Sequence, residues 1–211
     1  MIKTVLFDLD GTLIQTPSAI LKSFEIIFKS HLSHVKVDQK TLSSFLGQSL
    51  FKTFGLYVDH EKEIEHLVSE YRKVSEALLK DGVKAYPNAR STIEYLKQHR
   101  INVGVVTSKL RTVALKHIEM AGLSGLFDVV IGYEDVIEHK PNPEPILKGM
   151  AMLQAHKDET VYIGDHENDM ISAKKAGCLT CAVSYSLRLE DMLKQFPDYV
   201  IDDLENVKDF I

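Results

Sequence analysis

No apolar run in this chain approaches the length of a membrane span, and the chain carries no excess of positive charge. Twenty-five Lys and Arg stand against 30 Asp and Glu, a formal charge of −5, so there is no basic footprint for nucleic acid. Cysteine is scarce as well. The two present, Cys178 and Cys181, sit in A-G-C-L-T-C-A-V, whose composition predicts a strand. Residues three apart on a strand face opposite sides, which argues against redox or zinc use of this C-x-x-C. Internal repeats and low-complexity segments are missing too. Met1-Ile2-Lys3 leads directly into an apolar run rather than into a signal peptide. Together these absences predict a reducing, cytoplasmic setting with neither nucleic acid nor membrane as partner. What remains is a 211-residue globular composition, 45% hydrophobic and 26% charged, with room for one full domain and a smaller one.

The most informative stretch is Asp8-Leu9-Asp10-Gly11-Thr12. Lys3 to Phe7 is short, apolar and β-branched, the composition of a strand covered on both faces. Gly11 marks where the backbone turns. Side chains two apart along an extended segment point the same way, so Asp8 and Asp10 are expected to share one site. Two carboxylates that close repel each other unless a metal or a shared proton intervenes. A polar turn after a strand would give the same residues, and this stretch alone does not separate the two readings.

After that strand the apolar spacing becomes helical. Ile20, Leu21, Phe24, Ile27 and Phe28 recur on one helix face, and Ile64, Leu67, Val68, Tyr71, Val74 and Leu78 on another. Asp38 is a candidate N-cap, and Asp81-Gly82 closes the block. From Tyr86-Pro87 onward strands and helices alternate, with strands expected at 103–106, 129–131, 160–163, 179–183 and 199–201. The pattern predicts an α/β fold: a Rossmann-like three-layer α/β/α core around a mainly parallel sheet, residues 1–15 and 82–211. A small all-helical cap, residues 16–81, is inserted after the first strand.

In such sheets ligands gather at the carboxyl ends of the strands. Asp8 and Asp10 follow the first, Thr107-Ser108 the second, and Gly164-Asp165-His166-Glu167-Asn168-Asp169 a later one. Lys140 precedes a proline-stiffened turn, P-N-P-E-P. Taken singly, each has a plain structural reading: a hydroxyl capping the next helix, a surface lysine, acids offsetting a helix dipole. Those readings do not explain why all the candidates fall on one edge of one sheet. Jointly, the hydroxyl, the lysine and helix amides can hold phosphoryl oxygens while the carboxylates hold Mg²⁺.

These stretches, D-L-D-G-T (8–12), V-V-T-S (105–108), Lys140 in H-K-P-N-P-E-P and G-D-H-E-N-D (164–169), resemble the four motifs of the haloacid dehalogenase (HAD) superfamily of phosphatases. The resemblance covers nearly the whole chain, and the helical insertion looks like a C1-type cap. F-L-G-Q-S-L-F-K-T-F and H-K-P-N-P-E-P are similar to the phosphoglycolate phosphatase branch, bacterial pyrophosphatases included. The resemblance implies Asp8 as nucleophile and Asp10 as general acid and base. It also implies Mg²⁺ held by Asp8, the backbone carbonyl of Asp10 and Asp165, with Asp169 supporting the metal shell. Thr107, Ser108 and Lys140 would bind the phosphoryl group. Gln48 and Ser49 in the cap would face the leaving group, unless Ser49 is merely a helix N-cap, and Lys52 could meet a carboxylate or second phosphate. The implied activity is hydrolysis of a small phosphorylated metabolite, phosphoglycolate first and pyrophosphate as the alternative. A β-phosphoglucomutase-like transfer and a non-catalytic phosphate-binding module are further alternatives, and monomer and dimer stay open. His139, His166 and Glu167 are expected in exposed loop.

Overall fold

The computed structural model describes residues 1–211. Strand β1 (Thr4–Phe7) is buried at every position, as its unbroken apolar run requires. It pairs in parallel with β2 (Asn102–Val106) on one side and β4 (Thr160–Gly164) on the other, with Thr4 opposite both Asn102 and Thr160. Adding β3 (Val129–Ile131), β5 (Leu179–Val183) and β6 (Tyr199–Ile201) gives a six-stranded sheet in the order β3-β2-β1-β4-β5-β6, parallel throughout. The chain works outward from β1 to β3 and then returns to the other side of β1. The crevice beyond the carboxyl end of β1 is therefore the topological switch point.

Alternation along the strands sends side chains to two layers. Val5, Phe7, Val103, Val105, Val161, Ile163 and Cys181 pack with α5 (Ala89–Gln98) and α6 (Arg111–Met120). Leu6, Tyr162 and Cys178 pack with α7 (Glu144–Met152) and α8 (Glu167–Ala176). The two cysteines thus serve opposite cores, both as buried free thiols. A short helix, α9 (Leu189–Leu193), was not expected from the sequence; five residues are too few to show a periodicity. No helix is long and apolar enough to cross a membrane.

Between β1 and α5 lie α1 (Pro17–His31), α2 (Gln39–Ser43), α3 (Leu50–Phe54) and α4 (Glu61–Leu78). They bury a cluster of their own, including Phe24, Ile27, Phe28, Phe45, Phe54, Leu67 and Tyr71. Asp38 caps α2 by accepting the Thr41 amide at 2.8 Å. The two connections to the sheet run side by side: the Gln15 amide donates to the Lys84 carbonyl (2.8 Å) and that of Tyr86 to Leu13 (2.9 Å).

Candidate active site

Asp8, Thr107 and Asp165 each follow the last residue of a central strand, so backbone pairing alone brings them to one edge. Gly11 lets them close: its φ is +82°, and a Cβ there would lie 2.2 Å from Asp165 Oδ2. Lys140 reaches the same spot from the turn before α7. Its buried ammonium donates to Asp8 Oδ1 (2.8 Å), Asp169 Oδ1 (2.7 Å) and the Tyr162 hydroxyl (2.9 Å), which itself donates to the Val106 carbonyl (2.7 Å). Burial alone would push this ammonium down, but Asp169 and Asp8 hold it well above the ordinary lysine range. Lys140 therefore stays charged and fixes the orientation of two acids at once.

Asp8, Asp165 and Asp169 are buried and each offers an oxygen within 4.8 Å of the others'. Burial drives Asp8 up to about 7, against the pull of Lys140. Burial, with Asp8 and Asp169 adding to it, raises Asp165 well above the carboxylate range. Three carboxylates against one ammonium leave negative charge uncompensated in a low-dielectric setting. That donor set, all oxygen and over-acidic, fits a hard dication such as Mg²⁺.

The Asp10 carboxylate lies outside this triad and has a different setting. It accepts from Lys109 Nζ (2.6 Å) and from the Thr16 hydroxyl (2.5 Å). Burial works against its charge, yet Lys109 and Thr16 hold it below the usual carboxylate range. Thr16 occupies the N-cap position of α1 but makes no cap bond there. Its hydroxyl serves Asp10 instead, and Pro17, lacking an N–H, reduces the need for a cap.

A cleft of about 340 Å³ opens between this edge and the helical insertion. Asp8, Asp10, Thr107, Ser108 and Lys109 line its floor; Gln48, Phe51 and Arg72 are among the residues of its roof. Ser108 Oγ donates to the Gly47 carbonyl across the gap (3.2 Å). Gln48 Nε2 donates to the Ser44 carbonyl (2.6 Å), while its Oε1 is buried without a partner. Ser49 is buried outside the cleft lining and accepts the Lys52 amide at 3.3 Å as the N-cap of α3. Lys52 is exposed and does not line the cleft either.

Three expectations about exposure need correcting. His166 is 1% exposed: its Nδ1 accepts the Asn168 amide (3.0 Å), opening α8 earlier than the apolar spacing suggests. Gly47, at φ +70°, lies against this imidazole so closely that a Cβ would come 2.7 Å from His166 Cγ. Glu167 is half-buried and pairs with Arg188 at 2.5 Å. His139 stacks on Tyr133 at 3.9 Å between centroids. Lys109, Thr16, Tyr162 and Arg72 were not singled out from the sequence. Lys109 carried one readable sign, a cation just before a helix N-terminus, where the macrodipole disfavours it.

Residues 5–183 match the haloacid dehalogenase-like hydrolases. The chain is 37% identical to pyrophosphatase PpaX of Halalkalibacterium halodurans, over 100% of this chain and 97% of that protein. It superposes on a predicted phosphoglycolate phosphatase from Haemophilus somnus with a TM-score of 0.86 at 22% identity, over 99% of this chain and 97% of that one. For a haloacid dehalogenase-like hydrolase from Streptococcus pneumoniae the TM-score is 0.83 at 24% identity, over 99% and 98%. Identities this low speak for a shared fold alone. The sequence match, by contrast, runs from β1 to the end of β5, and on that ground the chain belongs to the haloacid dehalogenase-like hydrolases, as a phosphatase of that family.

Proposed function

We propose that this phosphatase hydrolyses inorganic pyrophosphate, in a Mg²⁺-dependent reaction through an aspartyl phosphate on Asp8. The observation that carries the mechanism is the unequal setting of two neighbouring acids. Asp8 is held by Lys140 at the switch point, while Asp10 is held by Lys109 and Thr16 beside the cleft. An Asp8 oxygen attacks phosphorus as the bond to the leaving oxygen breaks. Asp10, protonated from solvent once Lys109 has moved off it, gives that proton to the leaving oxygen, then takes one from the water that releases inorganic phosphate and restores Asp8. Lys109 holds Asp10 ionised in the resting arrangement; an anionic substrate that draws Lys109 toward itself frees Asp10 to carry its proton.

Thr107 and Ser108 contact the phosphoryl group, Lys140 holds Asp8 and Asp169, and Gln48 lines the cleft on the side of the leaving group. Asp8, Asp165, Asp169 and the Asp10 carbonyl would hold Mg²⁺, which when bound supplies charge neutralisation at the phosphoryl oxygens. Residues 16–81 act as a cap domain that closes over this edge. Pyrophosphate is favoured by the full-length identity to PpaX pyrophosphatase and by the three cations, Arg72, Lys109 and Lys116, that line the cleft. A second reading, a small organic ester such as phosphoglycolate, is favoured by the apolar part of the lining, Leu50, Phe51, Leu110 and Val113.

Phosphate release from pyrophosphate, phosphoglycolate and an aryl phosphate, measured with Mg²⁺, separates the readings. The highest kcat/KM is expected for pyrophosphate. Asp8→Asn is expected to abolish turnover of all three, whereas Asp10→Asn should cost about 10²- to 10⁴-fold. Near-normal turnover by Asp8→Asn would overturn the mechanism.

A further inference from the structure

We propose that Arg72, on helix α4, is the residue that selects substrates whose leaving group is itself an anion. The inference rests on the phosphatase reading above and names the side chain that recognises the departing half. Three cations line the cleft, and two of them already have carboxylate partners: Lys109 with Asp10 at 2.6 Å, and Lys116 with Glu76 at 2.5 Å. Arg72 has none. Its natural partner would be Glu76, one helical turn on, where an i,i+4 ion pair would ordinarily form. Glu76 instead reaches across from α4 to Lys116 on α6, so the guanidinium is left unpaired at the wall of a site that processes phosphate.

An unpaired guanidinium is suited to this task. Its planar fork can meet two oxygens of a phosphate or a carboxylate at once, which a lysine cannot. Asp8 and the acids beside it mark the end of the cleft where the transferred phosphoryl group is held. Arg72 lines the same cleft as Asp8, Asp10 and Thr107, from the helical side that a group bonded to that phosphorus would meet. The neutral aryl group of a generic phosphate ester offers Arg72 nothing to bind; the second phosphate of pyrophosphate or the carboxylate of phosphoglycolate does. Arg72 and Lys52 are both exposed, but Lys52, the cation that the sequence put forward for this role, does not line the cleft.

The test compares kcat/KM for pyrophosphate, phosphoglycolate and an aryl phosphate in the wild type, Arg72→Gln, Arg72→Lys and Lys52→Gln. In Arg72→Gln the preference for anionic over neutral leaving groups should fall on the order of 10- to 100-fold, chiefly through KM, as expected for a lost charged hydrogen bond. Arg72→Lys should recover part of it, and Lys52→Gln should keep the wild-type preference. Inhibition of aryl phosphate hydrolysis by methylenediphosphonate, which is not hydrolysed, should weaken in parallel in Arg72→Gln. Which of the two anionic substrates loses more tells a phosphate from a carboxylate partner. A wild type that prefers anionic leaving groups, with that preference intact in Arg72→Gln, overturns the role of Arg72 and leaves the phosphatase reading standing. Equal losses on all three substrates, with a lowered melting temperature, would make Arg72 structural and overturn the inference as well. A wild type without the preference overturns the pyrophosphate reading and the inference together.

Discussion

At the scale of single residues, ion pairs decide which groups are charged. Lys109 donates to Asp10 and also to His117 Nδ1, at 2.6 and 3.0 Å. An imidazole nitrogen that accepts from an ammonium must be unprotonated, so His117 is neutral in the fold. Burial and the Lys109 charge push it down to about 4 from its ordinary 6.5. Between those values the unfolded chain binds more protons than the folded one, so stability falls as pH drops from 6.5 toward 4. Denaturation midpoints across that range should show His117→Gln losing less stability than the wild type on acidification. Parallel curves for the two proteins would show that His117 makes no such contribution. The sequence offered no sign of this triplet, because Lys109 and His117 meet Asp10 only after a strand and a helix have been stacked.

At the scale of elements, the helical insertion depends on aromatic packing. Phe24 is 1% exposed and lies within 5.1 Å of Phe45, 5.8 Å of Phe54 and 4.6 Å of Tyr71, centroid to centroid. These rings come from α1, the α2–α3 connection, α3 and α4, so Phe24 is the point through which three helices and that connection share a core. Phe24→Ala should cost about 3–5 kcal/mol. The loss falls on the insertion, whose cluster is separate from those of the sheet. Thermal unfolding followed by hydrogen exchange should therefore show α1 to α4 opening ahead of β1, β2 and β4. Most of these elements were legible beforehand, because apolar spacing reports periodicity directly. Their ends were less so. Helix α8 starts at Glu167 because a buried histidine caps it, and α5 starts at Ala89 because Asn88 takes a left-handed φ of 57°. Histidine is not a usual cap residue, and Asn88, which is, makes no side-chain cap bond here.

At the scale of the whole molecule, few contacts join the insertion to the sheet across the cleft. Lys116–Glu76 is exposed at both ends, Ser108 donates one hydrogen bond to Gly47, Gly47 packs against the His166 ring, and Phe51 stacks on Tyr133 at 6.1 Å. The ion pair is screened by solvent and adds little, and the hydrogen bond and the stacked rings contribute about 0.5–1.5 kcal/mol each. With contacts this few, opening of the insertion on a microsecond to millisecond scale is the expected outcome. Mg²⁺ together with a phosphate analogue should increase amide protection at 45–51 and in α4. Identical protection with and without them would count against closure.

The sequence by itself determined where the candidate groups stand: strand-forming runs place Asp8, Thr107 and Asp165 at strand ends, and parallel pairing then brings them together. The tertiary structure decided what depends on contacts between distant segments. It sets Lys140 between Asp8 and Asp169 and gives Asp10 to Lys109 and Thr16. It turns Ser49 into a helix cap and puts Arg72, rather than Lys52, at the cleft. A local pattern can say which face of a helix is buried. Which polar residue of the other face meets another element is decided by how the helices pack, and for Arg72 by where Glu76 finds its partner.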